Sequence, residues 1–154
     1  MFGICNLAIV PVRLEPSDRS EQVTQLLFGE HFTILEQQAK WSKIKIAFDN
    51  YEGWIDNKQF QDITEKQFKT LNESPIVLSS DLIEFISNPK NELLPISIGS
   101  SLSFLNDDSI NISNFLFEGI KTFGVKPKSN LVKTAYMYMN APYLWGGKTP
   151  FGID

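Results

Sequence analysis

The sequence is poor in the residues that metal and disulfide chemistry need. It holds 1 cysteine and 1 histidine in 154 residues. A single thiol excludes an internal disulfide framework and a multi-cysteine zinc site. A single imidazole, His31, excludes a multi-histidine metal centre. A surplus of cations is also lacking. The 14 Lys and Arg face 18 Asp and Glu, for a net charge of −4, which argues against a general nucleic-acid binder. No apolar run approaches the ~18 residues of a membrane span. The apolar stretch Leu7 to Val12 has neither a basic segment before it nor a small-residue cleavage site after it. The expectation is a cytoplasmic protein without metal, cofactor, membrane or nucleic-acid partner. The sequence is silent on oligomeric state.

What the chain does have is a core. Hydrophobic residues make up 42%, with 12 Phe among them, and charged residues only 21%. That balance excludes wholesale disorder, and the length suits one or two small domains. Residues 1–62 read as β structure. Ala8 to Arg13 is a short apolar run broken by Pro11, as at an edge strand. Glu15 to Ser20 is a turn-rich loop, and Val23 to Leu27 resumes strand character before Gly29. His31 to Gln37 alternates around Phe32 and Ile34. In Ser42 to Phe48, Ile44, Ile46 and Phe48 are expected on one face and Lys43 and Lys45 on a solvated one. Gly53-Trp54-Ile55 closes the series, which fits a small barrel. Cys5 has no base near it in sequence and reads as a buried structural thiol. His31 reads as an ordinary strand residue.

Residues 63–74 read as a short helix or linker, with Phe68 and Leu71 three apart. Residues 75–127 read as a second small β domain. Its apolar runs are Ile76 to Leu78, Leu93 to Ile98, Ser101 to Leu105 and Ile112 to Phe117. Turns are expected at Asn88 to Asn91 and Asn106 to Asp108. Leu82 to Ile86 fits strand or helix. Gly99 followed by Leu102 and Phe104 echoes Gly29 followed by Phe32 and Ile34. Ser129 is expected to cap a helix from Asn130 to Met139, with Leu131, Val132, Ala135, Tyr138 and Met139 on one stripe.

Two segments carry a family resemblance. Val10 to Arg13, Gln25 to Glu30, Trp41 to Ile44 and Gly53-Trp54-Ile55 together resemble a bacterial SH3 (SH3b) domain. Ala141-Pro142-Tyr143-Leu144-Trp145-Gly146-Gly147, followed by Phe151-Gly152-Ile153-Asp154, resembles the entry motif of NlpC-type papain-like cysteine peptidases. SH3b domains ahead of that motif resemble the γ-D-glutamyl-L-diamino acid endopeptidases of cell-wall peptide metabolism. The resemblance implies a mainly β fold. Two SH3b-like barrels (1–62 and, more diffusely, 75–127, joined by 63–74) would be followed by the α+β start of a peptidase domain (128–154). In such enzymes the catalytic Cys would follow Asp154 and the His base lies far downstream, so the 154 residues are expected to be a fragment without catalytic residues.

The resemblance also implies binding roles. Asp154 and Tyr143 would line the subsite for the free amino terminus of a peptide beginning with L-Ala. Tyr51 and Glu15 would come from the SH3b domain that caps it. A carboxylate facing an ammonium is a sound pairing. Read without the resemblance, Glu15 and Tyr51 are exposed loop residues, Tyr143 and Trp145 are packing residues and Asp154 is a solvated terminus. Gly146-Gly147 is not read as a phosphate loop, because no helix in register follows it. Two other readings stand beside the hydrolase. One is a non-catalytic SH3b module that binds cell-wall peptide. The other is a proline-motif binder using Trp41, Tyr51 and Trp54, for which the acidic loop is missing.

Overall fold

The computed structural model describes residues 1–106 and 114–154. The expected turn at Asp107-Asp108 and the first part of the Ile112 to Phe117 run lie outside the described residues. The chain is mainly β, as the SH3b resemblance implies. The first unit comprises β1 (Phe2–Ile4), β2 (Ile9–Arg13), β3 (Gln22–Leu27), β4 (His31–Gln37), β5 (Trp41–Ile46), β6 (Glu52–Asp56) and β7 (Gln61–Ile63). They form one antiparallel seven-stranded sheet in the order β3-β2-β6-β5-β4-β1-β7. The sheet wraps a core of Val10, Val12, Leu26, Phe32, Ile44, Ile46 and Ile55. Cys5 lies fully buried in the same core.

Alternation works where it should. Ile44 and Ile46 are wholly buried, while Lys43 faces out and pairs with Glu52 at 3.1 Å. Phe48 does not join their face. β5 ends at Ile46, whose N–H takes the Tyr51 carbonyl at 2.9 Å, and the chain turns through Asn50 at φ 62°. Phe48 is thereby swung outward and left 76% exposed.

Helix α1 (Glu65–Glu73) occupies the segment read as helix or linker. Thr64 and Gln67 form a reciprocal capping box: Gln67 N–H donates to Thr64 Oγ1 at 3.2 Å and Thr64 N–H to Gln67 Oε1 at 2.7 Å. Its inner face carries buried Leu71, and Phe68 stacks on Phe2 of β1 at 4.3 Å.

The second unit holds β8 (Val77–Ser79), β9 (Ile83–Ser87), β10 (Leu93–Ser97), a 3₁₀ turn at Ser103–Asn106, β11 (Leu116–Phe117) and β12 (Lys121–Phe123). β9 lies between β10 and β11, and β12 pairs with β8. Leu82 to Ile86 thus resolves as strand. Ser101 to Leu105 does not become one. Ser101 N–H bonds the Phe28 carbonyl and Leu102 N–H the Val77 carbonyl, both at 2.8 Å, and the chain then tightens into the 3₁₀ turn. The core of this unit is shared: Ile4, Phe28 and Ile63 of the first unit pack with Leu71, Val77, Ile86, Ile96, Leu102 and Phe104.

Helix α2 (Ser129–Met137) follows. Ser129 is its first helical residue rather than its cap. The preceding Lys128 takes the cap position at φ −56°, and no side chain there bonds the helix end. None of its residues is buried. Asn140, at φ 73°, turns the chain into a closing hairpin of β13 (Lys148–Thr149) and β14 (Gly152–Ile153). Among the described residues no helix is long and apolar enough to cross a membrane.

Candidate functional site

Residues 143–154 fold back on themselves and onto the first unit. Tyr143 bridges Ile153 in parallel, and Leu144 N–H donates to the Ile153 carbonyl at 3.1 Å. The loop then lies against β3. Gly146, at φ +68°, comes so close that an added Cβ would stand 2.9 Å from the Gln22 carbonyl oxygen. Gln22 Nε2 donates to the Trp145 carbonyl at 3.0 Å, and Lys148 N–H to Gln25 Oε1 at 2.8 Å. The Lys148 ammonium reaches Glu30 Oε1 at 3.1 Å and Oε2 at 3.3 Å. Glu30 Oε2 also accepts the Leu27 N–H at 2.8 Å.

Asp154 is gripped by the same loop. Its Oδ2 accepts the Gly146 N–H at 2.8 Å, and its own N–H donates to the Gly147 carbonyl at 3.1 Å. It lies on the wall of a cavity of about 700 Å³ between the first unit, the second unit and the hairpin. Leu27, Phe48, Leu78 and Ile98 supply apolar lining. Tyr138 lines it too, its phenol pKa pushed up by burial. His31 shares a 3.0 Å hydrogen bond with Asn72 and meets the Phe68 ring edge-on at 5.3 Å. Burial lowers its pKa, partly opposed by the Asn72 bond, so the ring is neutral at neutral pH.

Of the four residues expected to bind substrate, Asp154 alone lines this cavity. Tyr143 stands beside it on the hairpin, 70% exposed. Tyr51 lies in the β5–β6 turn and Glu15 in the β2–β3 loop, each exposed and outside the cavity lining. Glu30, Lys148 and Tyr138 escaped the sequence reading. For Lys148 a signal existed: it is the one charged residue between Tyr143 and Ile153.

No nucleophile is prepared among the described residues. Cys5 is fully buried and its thiol is pushed up to about 12, chiefly by desolvation. Its Sγ donates to the Leu7 carbonyl at 3.3 Å. No cluster of three or more His, Cys, Asp or Glu among the described residues could hold a metal ion.

Residues 12–60 match the family described as the bacterial dipeptidyl-peptidase SH3 domain. The whole chain superposes on the crystal structure of an NlpC/P60 family protein from Bacillus cereus with a TM-score of 0.76, covering 68% of that chain at 17% identity. The chain thus shares its fold with part of that NlpC/P60 family protein. The relatives by sequence are named as dipeptidyl-peptidases. A gamma-D-glutamyl-L-lysine dipeptidyl-peptidase of Bacillus cereus is 26% identical over 155 residues, covering 85% of this chain and 46% of that protein. Dipeptidyl-peptidase 6 of Lysinibacillus sphaericus is 26% identical over 168 residues, covering 91% of this chain and 60% of its own length. A gamma-D-glutamyl-L-lysine dipeptidyl-peptidase of Bacillus subtilis is 26% identical over 156 residues, covering 49% of its length. The chain spans about half the length of the curated relatives it matches.

Proposed function

We propose that these 154 residues form the substrate-receiving part of a cytoplasmic cysteine peptidase that trims recycled cell-wall peptides. The bond cut is the one joining γ-D-Glu to a diamino acid in peptides that begin with a free L-Ala. The names of two relatives, which carry γ-D-glutamyl-L-lysine, favour lysine as that diamino acid. Asp154 takes the substrate ammonium, and Tyr143 flanks it. Tyr51 and Glu15 serve as the rim contributed by the first barrel. A pocket closed by a second domain admits a short amine end and rejects longer stems.

Hydrolysis requires a thiol and an imidazole beyond those present here, because Cys5 is buried and His31 is held by Asn72. The activity therefore belongs to a longer polypeptide in which a nucleophile follows Asp154. Residues 1–154 alone bind peptide and leave it intact.

The observation that carries this reading is the Asp154 carboxylate, fixed by the Gly146 N–H at 2.8 Å on the wall of a cavity between two folded units. The test is calorimetric titration of the chain with L-Ala-γ-D-Glu and with its N-acetyl form. The free amine is expected to bind at least about tenfold more tightly, and Asp154→Asn to erase the difference. Equal affinity for both peptides sinks the ammonium reading. Cleavage of L-Ala-γ-D-Glu-L-Lys by residues 1–154 would refute their inactivity.

A further inference from the structure

Two carboxylates line the cavity, Glu30 and Asp154, with one lysine between them. Glu30 sits on the first unit and is only 11% exposed at its side chain, while Lys148 is 29% exposed. A carboxylate that deep needs a partner, and both of its oxygens reach Lys148 Nζ. Lys148 belongs to the loop that grips Asp154. Its neighbour Gly147 accepts the Asp154 N–H, and Gly146 donates to the Asp154 carboxylate. From Trp145 to Lys148 the same loop touches the barrel at Gln22, Gln25 and Glu30.

We propose that Lys148 and Glu30 are a positioning pair: their ion pair latches the 145–154 loop to the first barrel and so sets where the Asp154 carboxylate stands. The inference rests on Asp154 being the receiver of the substrate ammonium. The pair has a second, electrostatic consequence. Lys148 neutralises Glu30 and leaves Asp154 as the uncompensated anion of the cavity lining. A single ammonium is then directed to one carboxylate rather than shared between two.

The test compares four variants of the 154-residue chain. Lys148→Met removes the charge and keeps the stem. Lys148→Arg keeps the charge. Glu30→Gln keeps an acceptor for the Leu27 N–H and removes the charge. The fourth combines Lys148→Met with Glu30→Gln. Hydrogen exchange at Gly146, Gly147 and Asp154 is read against that in β4 and β5. Each single neutral variant is expected to lower loop protection about tenfold or more and leave the strands unchanged. The double variant should lose no more than either single, and Lys148→Arg should keep most of the protection. Unchanged loop protection overturns the latch, as does an equal loss in the strands, additive losses, or failure of Lys148→Arg.

Affinity for L-Ala-γ-D-Glu completes the experiment. It should fall with loop protection in Lys148→Met. Loop loosening with no change in that affinity overturns the positioning role. If the wild-type chain does not distinguish the free amine from its N-acetyl form, the reading of Asp154 fails, whereas the exchange data judge the latch separately.

Discussion

The ring of Phe28, a residue of the first barrel, stands 5.5 Å from the ring of Phe104 in the second unit, with 56° between their planes. Both side chains are wholly buried. Phe28 also meets Phe115 edge-on at 5.5 Å. The turn after β3 thus drives one large side chain out of its own barrel and into the neighbouring core. Truncation there leaves a cavity that neither unit can close. Phe28→Ala is expected to cost about 3–5 kcal/mol. Trp41 and Trp54 lie in the first unit and Trp145 on the loop docked against it at Gln22, so the fluorescence of the three reports unfolding of that unit in urea. Their midpoint should fall in Phe28→Ala. An unchanged midpoint would show that the two cores do not share stability.

Gly29 and Gly99 are both left-handed, at φ +78° and φ +87°, but they face different surroundings. A Cβ on Gly29 would collide with the Ser101 carbonyl and stand 2.9 Å from the Phe104 ring. A Cβ on Gly99 would meet only Leu27 Cδ1 at 3.6 Å. Gly99→Ala should therefore cost only the backbone strain, about 1–2 kcal/mol. Gly29→Ala should cost more, because backbone must move as well. Equal losses in thermal or urea melts would contradict this.

Much of the first barrel was legible because a half-buried strand writes a period of two. Ile44 and Ile46 declare β5, and Phe32 and Ile34 declare β4. β1 was not legible: three residues cannot show a period, and Phe2-Gly3-Ile4 earns its place only through pairing with β4 and β7. Phe48 misled because alternation does not announce where a strand stops. The motif loop was legible as a resemblance, which drew attention to Asp154 and Tyr143. Its partners were not, since Glu30 and Lys148 are 118 residues apart and meet only through the fold.

His31 gives the fold a pH dependence. Burial depresses its folded-state pKa below the ordinary 6.5. The unfolded chain therefore takes up the proton at a higher pH than the folded one. Between the two pKa values the unfolded state binds more protons, so stability falls as pH drops below 6.5 and levels off under the folded pKa. Urea midpoints measured from about pH 8 down to about pH 5 should show this slope. His31→Gln should flatten the upper part of it, leaving only the carboxylate titrations at the acid end. A slope of the same size in His31→Gln would assign the effect elsewhere.

Cys5 should be chemically silent while the protein is folded. With its thiol pushed up to about 12 from an ordinary 9.0, the thiolate fraction near neutral pH drops roughly a thousandfold before access is considered. Iodoacetamide should label it in urea and leave the native chain unmodified over the same time. Labelling at the same rate in both would mean that β1 opens readily, since the Cys5 N–H is bonded to the Glu30 carbonyl at 2.9 Å.

Helix α2 offers the sharpest contrast with the barrel. Leu131, Val132 and Met139 of the expected stripe are 70%, 60% and 62% exposed, so apart from Tyr138 at the cavity the stripe gains little from packing. At 9 residues it is shorter than the ~12–15 that an isolated helix needs for even marginal stability in water. It also lacks a side-chain cap. Its amides should exchange orders of magnitude faster than those of β4 and β5, whose side chains Phe32, Ile44 and Ile46 are fully buried. Protection in α2 equal to that of the strands would mean that something covers the stripe in solution. Leu131→Glu separates the two cases: on a bare helix it leaves the urea midpoint within about 0.5 kcal/mol of wild type and improves solubility, whereas on a covered face it destabilises.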